Sequence, residues 1–246
     1  MQLSLIVAYR NRETHLKVLL NWWKKYILDK LEKDFELIII ESSQSSSLWI
    51  QEMIKQTNIK YLYLENSGVF HKTKALNLGL KIASGSFVVP YDVDLIPIKD
   101  TLKKHLKMAQ LTSKILITGY RIMYPQETII DNNISLAINN SAIAPEDSPE
   151  GIWRYLTTEE KFGVLPLFCR DRLISIDGWD EYFIGWGAED QDIIERYLQD
   201  GRYLCRCPEL VYLHLNHESS ENWNETSLVD TNRKYYYEKL KLRQKN

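Results

Sequence analysis

The chain has 246 residues, 44% hydrophobic, 26% charged and 11% aromatic, a composition suited to one α/β domain with a sizeable core. A formal net charge of −2, with no basic stripe interleaved with aromatics, excludes a general nucleic-acid binder. Three cysteines are too few for a disulfide framework, and Cys205 and Cys207 are not spaced as Cys-x-x-Cys.

The start, Leu3 to Ala8, reads as a buried strand. It is too short for a signal peptide and has no basic leader, and no later stretch is long enough to span a bilayer. The expectation is a cytoplasmic protein. A polar turn from Tyr9 to Glu13 follows, then a helix through Leu16, Leu19, Leu20 and Trp23. Phe35 to Ile40 is a second buried strand, ended by Glu41 and a Ser-rich loop. A helix over Leu48 to Lys55 and a strand over Ile59 to Leu64 come next. Phe70 to Thr73 opens a helix with Leu76, Leu80 and Ala83 on one face, stopped at Gly85. This alternation argues for a mainly parallel sheet covered on both faces. Ligands bind such sheets at the carboxyl ends of the strands, and Arg10, Arg12, Asp92 and Asp94 all fall just after predicted strands.

The run Ser86 to Pro90 leads into Asp92-Val93-Asp94, with Pro97 expected to stop further pairing. Two carboxylates two apart on an extended chain project to one side and repel each other unless a cation lies beside them. A divalent Mg or Mn carrying a diphosphate suits their hard oxygens. The plainer reading is a strand-end turn in which both cap backbone N–H groups.

The second half is less regular. Ile115 to Tyr120 is a strand running toward Met123, and Tyr124 to Thr158, with Trp153 and Tyr155, is a long loop or small helical insertion. In Gly185-Trp186-Gly187-Ala188-Glu189-Asp190-Gln191-Asp192 the acids stand at a helix start, where they satisfy orphan N–H groups. That account needs neither Trp186 nor its glycines. An aromatic on a glycine-hinged loop suits stacking on a sugar ring, and Glu189 or Asp190 is then placed to take a proton from a hydroxyl. His214 and His217 follow the β-like Glu209 to Tyr212 and converge on one ion if the chain turns there, a set compatible with Mn, Zn or Fe. The tail from Asn232 is a helix with basic excess and Tyr235, Tyr236 and Tyr237. It either packs by its tyrosines or touches an anionic membrane surface.

In this order the pieces resemble the β-1,4-galactosyltransferase family and its bacterial relatives, metal-dependent glycosyltransferases of the GT-A fold. Tyr9-Arg10-Asn11-Arg12 is similar to the family's Phe-Arg-Asn-Arg turn, and Phe70 to Asn77 to its Phe-Asn-Arg-Ala-Lys-Leu-Leu-Asn helix start. Asp92 to Pro97 matches the metal motif without a substitution. Phe162-Gly163-Val164 resembles Phe-Gly-Gly-Val one glycine short, and Trp186 to Asp192 resembles Trp-Gly-Gly-Glu-Asp-Asp-Asp with Ala188 and Gln191 as departures. His214 and His217 fall where the last metal ligands are expected.

The resemblance implies one GT-A domain with a Rossmann-like, mainly parallel sheet flanked by helices. Residues 1–125 would form the nucleotide-binding half, 126–224 the acceptor and catalytic half, and 225–246 the basic helix. It implies an inverting transferase that moves galactose or N-acetylgalactosamine from a UDP-sugar to a saccharide or glycolipid acceptor. Asp94, His214 and His217 would hold Mn²⁺, with Mg²⁺ as substitute. Arg10, Arg12, Lys72, Asp92, Val93, Gly163 and Trp186 would contact the donor. Glu189 would orient the sugars and Asp190 would deprotonate the acceptor. Glucose, glucuronic acid or N-acetylglucosamine donors, or a catalytically silent sugar-nucleotide module, are the alternatives.

Overall fold

The computed structural model describes residues 1–98, 100–124, 142–143, 157, 160–216 and 226–243. The first sheet is built from β1 (Leu3–Tyr9), β2 (Phe35–Ser43), β3 (Lys60–Glu65) and β4 (Phe87–Pro90), all parallel, in the order β3-β2-β1-β4. The crossovers carry α1 (Glu13–Trp23), extended by a π-turn over Lys24–Leu28, then α2 (Leu48–Ile54) and α3 (Lys72–Ile82). All nine residues of β2 are buried, as a strand covered on both faces must be. The alternation of side chains sorts the core in two. Leu5, Val7, Leu37 and Ile39 pack with Leu16, Leu19 and Trp23 of α1, while Ile6, Ile38 and Ile40 pack with Leu76 and Leu80 of α3. Each such side chain contributes about 1.5–3 kcal/mol on burial.

Beyond β4 the chain crosses into a second sheet. Its members are β5 (Leu95–Pro97), β6 (Ile115–Tyr124), β7 (Ala142–Ile143) and β9 (Tyr203–Leu215), in the order β5-β9-β6-β7. A two-residue β8 (Phe168–Cys169) closes the first sheet antiparallel to β4. Pro97 ends strand pairing as expected: it is the last residue of β5, opposite Tyr212, and an edge strand tolerates its missing N–H. One expectation is corrected here. The strand expected at Glu209 to Tyr212 begins at Tyr203 and is interrupted by a register shift opposite Thr118 to Tyr120, which takes up Pro208.

The sequence reading also passed over α4 (Thr101–Leu111), whose buried Leu102, His105, Leu106 and Ala109 do keep helical spacing. A histidine and interleaved lysines blurred the stripe. The chain continues through α5 (Arg170–Ser175) and α6 (Glu189–Leu198) to α7 (Thr226–Arg243), which starts six residues before the expected Asn232. Most of the insertion from Tyr124 to Thr158, including Trp153 and Tyr155, lies outside the described residues. Among those described, no helix is long and apolar enough to cross a membrane.

Candidate active site

The hinge between the two sheets carries the first acids. The Tyr91 amide donates to the Ile6 carbonyl (2.8 Å), and its hydroxyl donates to the Leu95 carbonyl (2.9 Å), so Tyr91 braces the turn Asp92 to Asp94 from beneath. The Leu215 amide donates to the Asp94 carbonyl (2.8 Å), and Leu95 lies opposite His214 in the ladder. Register thereby sets His214 Nε2 3.6 Å from Asp94 Oδ1, and Arg12 Nη1 lies 3.6 Å from Asp94 Oδ2. Asp94 is buried. His214 is the last residue but one of β9, and His217 lies outside the described residues. Val93, expected at the donor, packs its side chain into the core, which leaves only its backbone free to meet a ligand.

Lys72 joins the two acidic stretches. Its Nζ stands 3.4 Å from Asp92 Oδ1, 3.5 Å from Glu189 Oε1 and 3.9 Å from Asp190 Oδ1. Burial opposes its charge, but Asp190, Asp92 and Glu189 together hold its pKa well above an ordinary lysine's. Glu189 is buried, and that burial, with Asp190 beside it, pushes its pKa up to about 7 against the pull of Lys72. The Gly187 amide donates to Glu189 Oε2 (3.0 Å). Asp190 is exposed. The segment before α6 is tied to α3: the Thr73 hydroxyl donates to the Phe183 carbonyl (3.0 Å), His71 Nε2 to the Glu181 carbonyl (2.8 Å) and Asn77 Nδ2 to the Trp179 carbonyl (2.7 Å). These bonds carry Lys72 and Glu189 to one place from positions far apart in the chain.

The remaining predicted residues divide. Arg10 spends its guanidinium on the carbonyls of Ser42, Gly68 (2.6 Å) and Asn66 (3.0 Å) and lies over the Phe70 ring. It therefore builds the wall of the crevice at the ends of β2 and β3. A Cβ on Gly163 would come within 2.4 Å of Thr118 Oγ1, so this glycine serves a close approach of the chain to β6. Trp186 is 51% exposed on a loop whose Gly185 (φ 76°), Gly187 (φ 113°) and Ala188 (φ 66°) are all left-handed. The loop needs its glycines, and Ala188 pays strain where the resembling family has glycine.

Sequence reasoning missed the side of the site that the tail helix supplies. Glu160, Arg233, Tyr236 and Tyr237 line a cleft of about 110 Å³ together with Trp186 and Asp190. A tyrosine run on the tail helix was its only signal.

The donor set of Asp94 and His214, carboxylate with imidazole at 3.6 Å, is of a kind compatible with Mn, Zn or Fe. Among the described residues no cluster of three or more His, Cys, Asp or Glu is arranged to hold a metal.

A family model described as the N-terminal domain of galactosyltransferase matches residues 152–218. Chondroitin sulfate synthase 3 of Homo sapiens is 28% identical over 202 residues, which cover 76% of this chain and 21% of that protein. For β-1,4-galactosyltransferase 1 of Mus musculus the figures are 22% over 212 residues, 83% and 39%. For chondroitin synthase of Escherichia coli they are 23% over 218 residues, 77% and 31%. The chain thus spans less than two-fifths of the length of these relatives. The crystal structure of S. aureus TarS 1-349 in complex with UDP-GlcNAc shares the fold, with a TM-score of 0.65 at 21% identity over 91% of this chain and 61% of that one. The mixed α/β architecture is that of the GT-A glycosyltransferases. A model described as glycosyl transferase family 2 matches residues 4–172, from β1 through the Asp92 to Asp94 turn and into α5, and the chain belongs to that family.

Proposed function

We propose that the chain is a metal-dependent, inverting hexosyltransferase that uses a UDP-sugar, galactose or N-acetylgalactosamine being the favoured hexose, and extends a saccharide acceptor. The observation that carries this reading is the convergence of Asp92, Glu189 and Asp190 on Lys72, beside the Asp94–His214 pair. Three carboxylates held by one lysine at the carboxyl edge of a parallel sheet form a poor structural cluster but a good receptor for a diphosphate and its counter-ion.

Asp94 and His214, with His217, would hold Mn²⁺, or Mg²⁺ in its place. The metal, when bound, neutralises charge on the departing diphosphate. Lys72 offers an ammonium to the phosphate oxygens and Arg12 steadies Asp94. Trp186, which lines the cleft with Asp190, lays a flat face against the acceptor sugar rather than the donor. Asp190 accepts the proton of the attacking hydroxyl while that oxygen bonds to the anomeric carbon, and the bond from carbon to the diphosphate oxygen breaks with its electron pair leaving on UDP. Attack from the opposite face converts an α-linked donor into a β-linked product.

UDP release should be measured from a panel of UDP-sugars with Mn²⁺ and with saccharide acceptors. Release that requires the metal and a β-configured product by NMR are expected. Full turnover in excess EDTA, or an α product, overturns the mechanism. Binding of every donor without turnover would identify a silent module instead.

A further inference from the structure

The tail helix does more than cover the site. Asn232 of α7 is 3% exposed, and its amide nitrogen donates to the carbonyls of both Ile184 (2.9 Å) and Trp186 (3.1 Å). These two carbonyls flank Gly185, whose own amide donates to the Phe70 carbonyl (3.0 Å). The loop is thus pinned on the α3 side through Gly185 and on the α7 side through Asn232. Between these pins the backbone is held in left-handed conformations at 185, 187 and 188, which persist only where the surroundings over-determine them.

A cleft of about 110 Å³ lies between this loop and α7. Its wall pairs aromatic Trp186 and Tyr237 with the carboxylates of Glu160 and Asp190, and carboxylates accept from hydroxyls. A single hydroxyl-rich ring matches that lining.

Resting on the transferase reading above, we propose that Asn232 is a positioning residue for the acceptor side: it holds Trp186 as the wall of a one-ring subsite that α7 completes. The α3 side of the loop, and with it Lys72 and the donor crevice, keeps its own ties and does not depend on Asn232.

Asn232→Asp is the discriminating variant, because it keeps the shape but turns an oxygen toward two carbonyls. In the intact chain, hydrogen exchange at residues 184–188 should quicken roughly tenfold or more, with the sheets unchanged. Asn232→Gln, which retains the amide, should recover part of the protection. UDP release stimulated by free N-acetylglucosamine or glucose should fall in Asn232→Asp relative to UDP release to water, through a raised acceptor KM. Unchanged exchange in the loop overturns the proposal. So does a parallel fall of both release rates, which would mark a general support. Absence of any UDP release from the unaltered chain would instead refute the transferase reading, and loop exchange would still judge the role of Asn232.

Discussion

Glu189 sits in an environment that disfavours its charge. Its pKa rises from 4.5 to about 7 through burial and through Asp190, with Lys72 opposing. The folded state therefore binds the proton more tightly than the unfolded chain, so Glu189 lowers stability as pH rises from about 4.5 through 7. Glu189→Gln should stabilise the chain above pH 7 by up to about 3 kcal/mol and leave it unchanged near pH 4; urea titrations at the two pH values measure this. Equal stabilisation at both would disconnect the effect from ionisation. The same substitution should impair acceptor use, since sites hold such groups at a cost in stability. Asp190→Asn keeps shape and hydrogen-bonding capacity but removes the base, so turnover should drop by roughly two to four orders of magnitude while donor affinity by titration calorimetry changes little. Gly163→Ala tests a different claim. If the glycine serves packing against Thr118, the variant loses about 1–3 kcal/mol of stability before any donor is added.

At the scale of elements, α7 is tied into the catalytic half by its charges as well as its tyrosines. Asp192, at the start of α6, is 1% exposed and meets Arg196 Nε (2.8 Å), Lys239 Nζ (3.0 Å) and Arg243 Nη2 (2.5 Å). Burial opposes its ionised form, but Arg196, Arg243 and Lys239 outweigh this and hold its pKa below the ordinary carboxylate value. Its stabilisation is present above that ordinary value and is lost as pH falls through the folded one. Asp192→Asn leaves three clustered cations and should cost about 3–5 kcal/mol in denaturant unfolding. Lys239 also reaches Asp180, and Tyr236 donates to Glu195 (2.8 Å). Two of the tail's cations, Lys239 and Arg243, thus face inward. Contact with an anionic membrane would have to come from exposed cations such as Lys234 and Lys241. Co-sedimentation with anionic vesicles, comparing the unaltered chain with Lys234→Gln/Lys241→Gln, decides this, and equal binding removes the idea.

Across the whole molecule, the junction of the two sheets rests on a buried polar column. His105 of α4 is fully buried, donates from Nε2 to the Ile117 carbonyl (3.1 Å) and accepts at Nδ1 from the Tyr212 hydroxyl (2.8 Å). Tyr212 in turn packs edge-on to Tyr91 beneath the acidic turn. Burial lowers the His105 pKa from 6.5 to about 4, so the unfolded chain takes up a proton first and stability falls as pH drops from about 6.5 to 4. The contribution is on the order of 3 kcal/mol. His105→Gln, which can keep both hydrogen bonds, should flatten that slope in stability measured against pH.

Local pattern was enough for the first sheet. The double-faced apolar runs of β1, β2 and β4 and the spacing of α1 and α3 are dictated by burial alone, and they place Arg10, Arg12, Asp92 and Asp94 at one strand edge. The resembling motifs added Lys72 and joined Glu189 and Asp190 to the same site. What the sequence could not state was how each residue serves there. Arg10 is consumed by three carbonyls, Val93 turns into the core and Gly163 yields to Thr118. The register of β5 against β9 brings His214 to Asp94, and the docking of α7 supplies Asn232 and the cleft. These are long-range partnerships. Periodicity reports which face of an element is buried, whereas the atoms that meet across that face are settled only when distant elements pack and every buried polar group must find its partner.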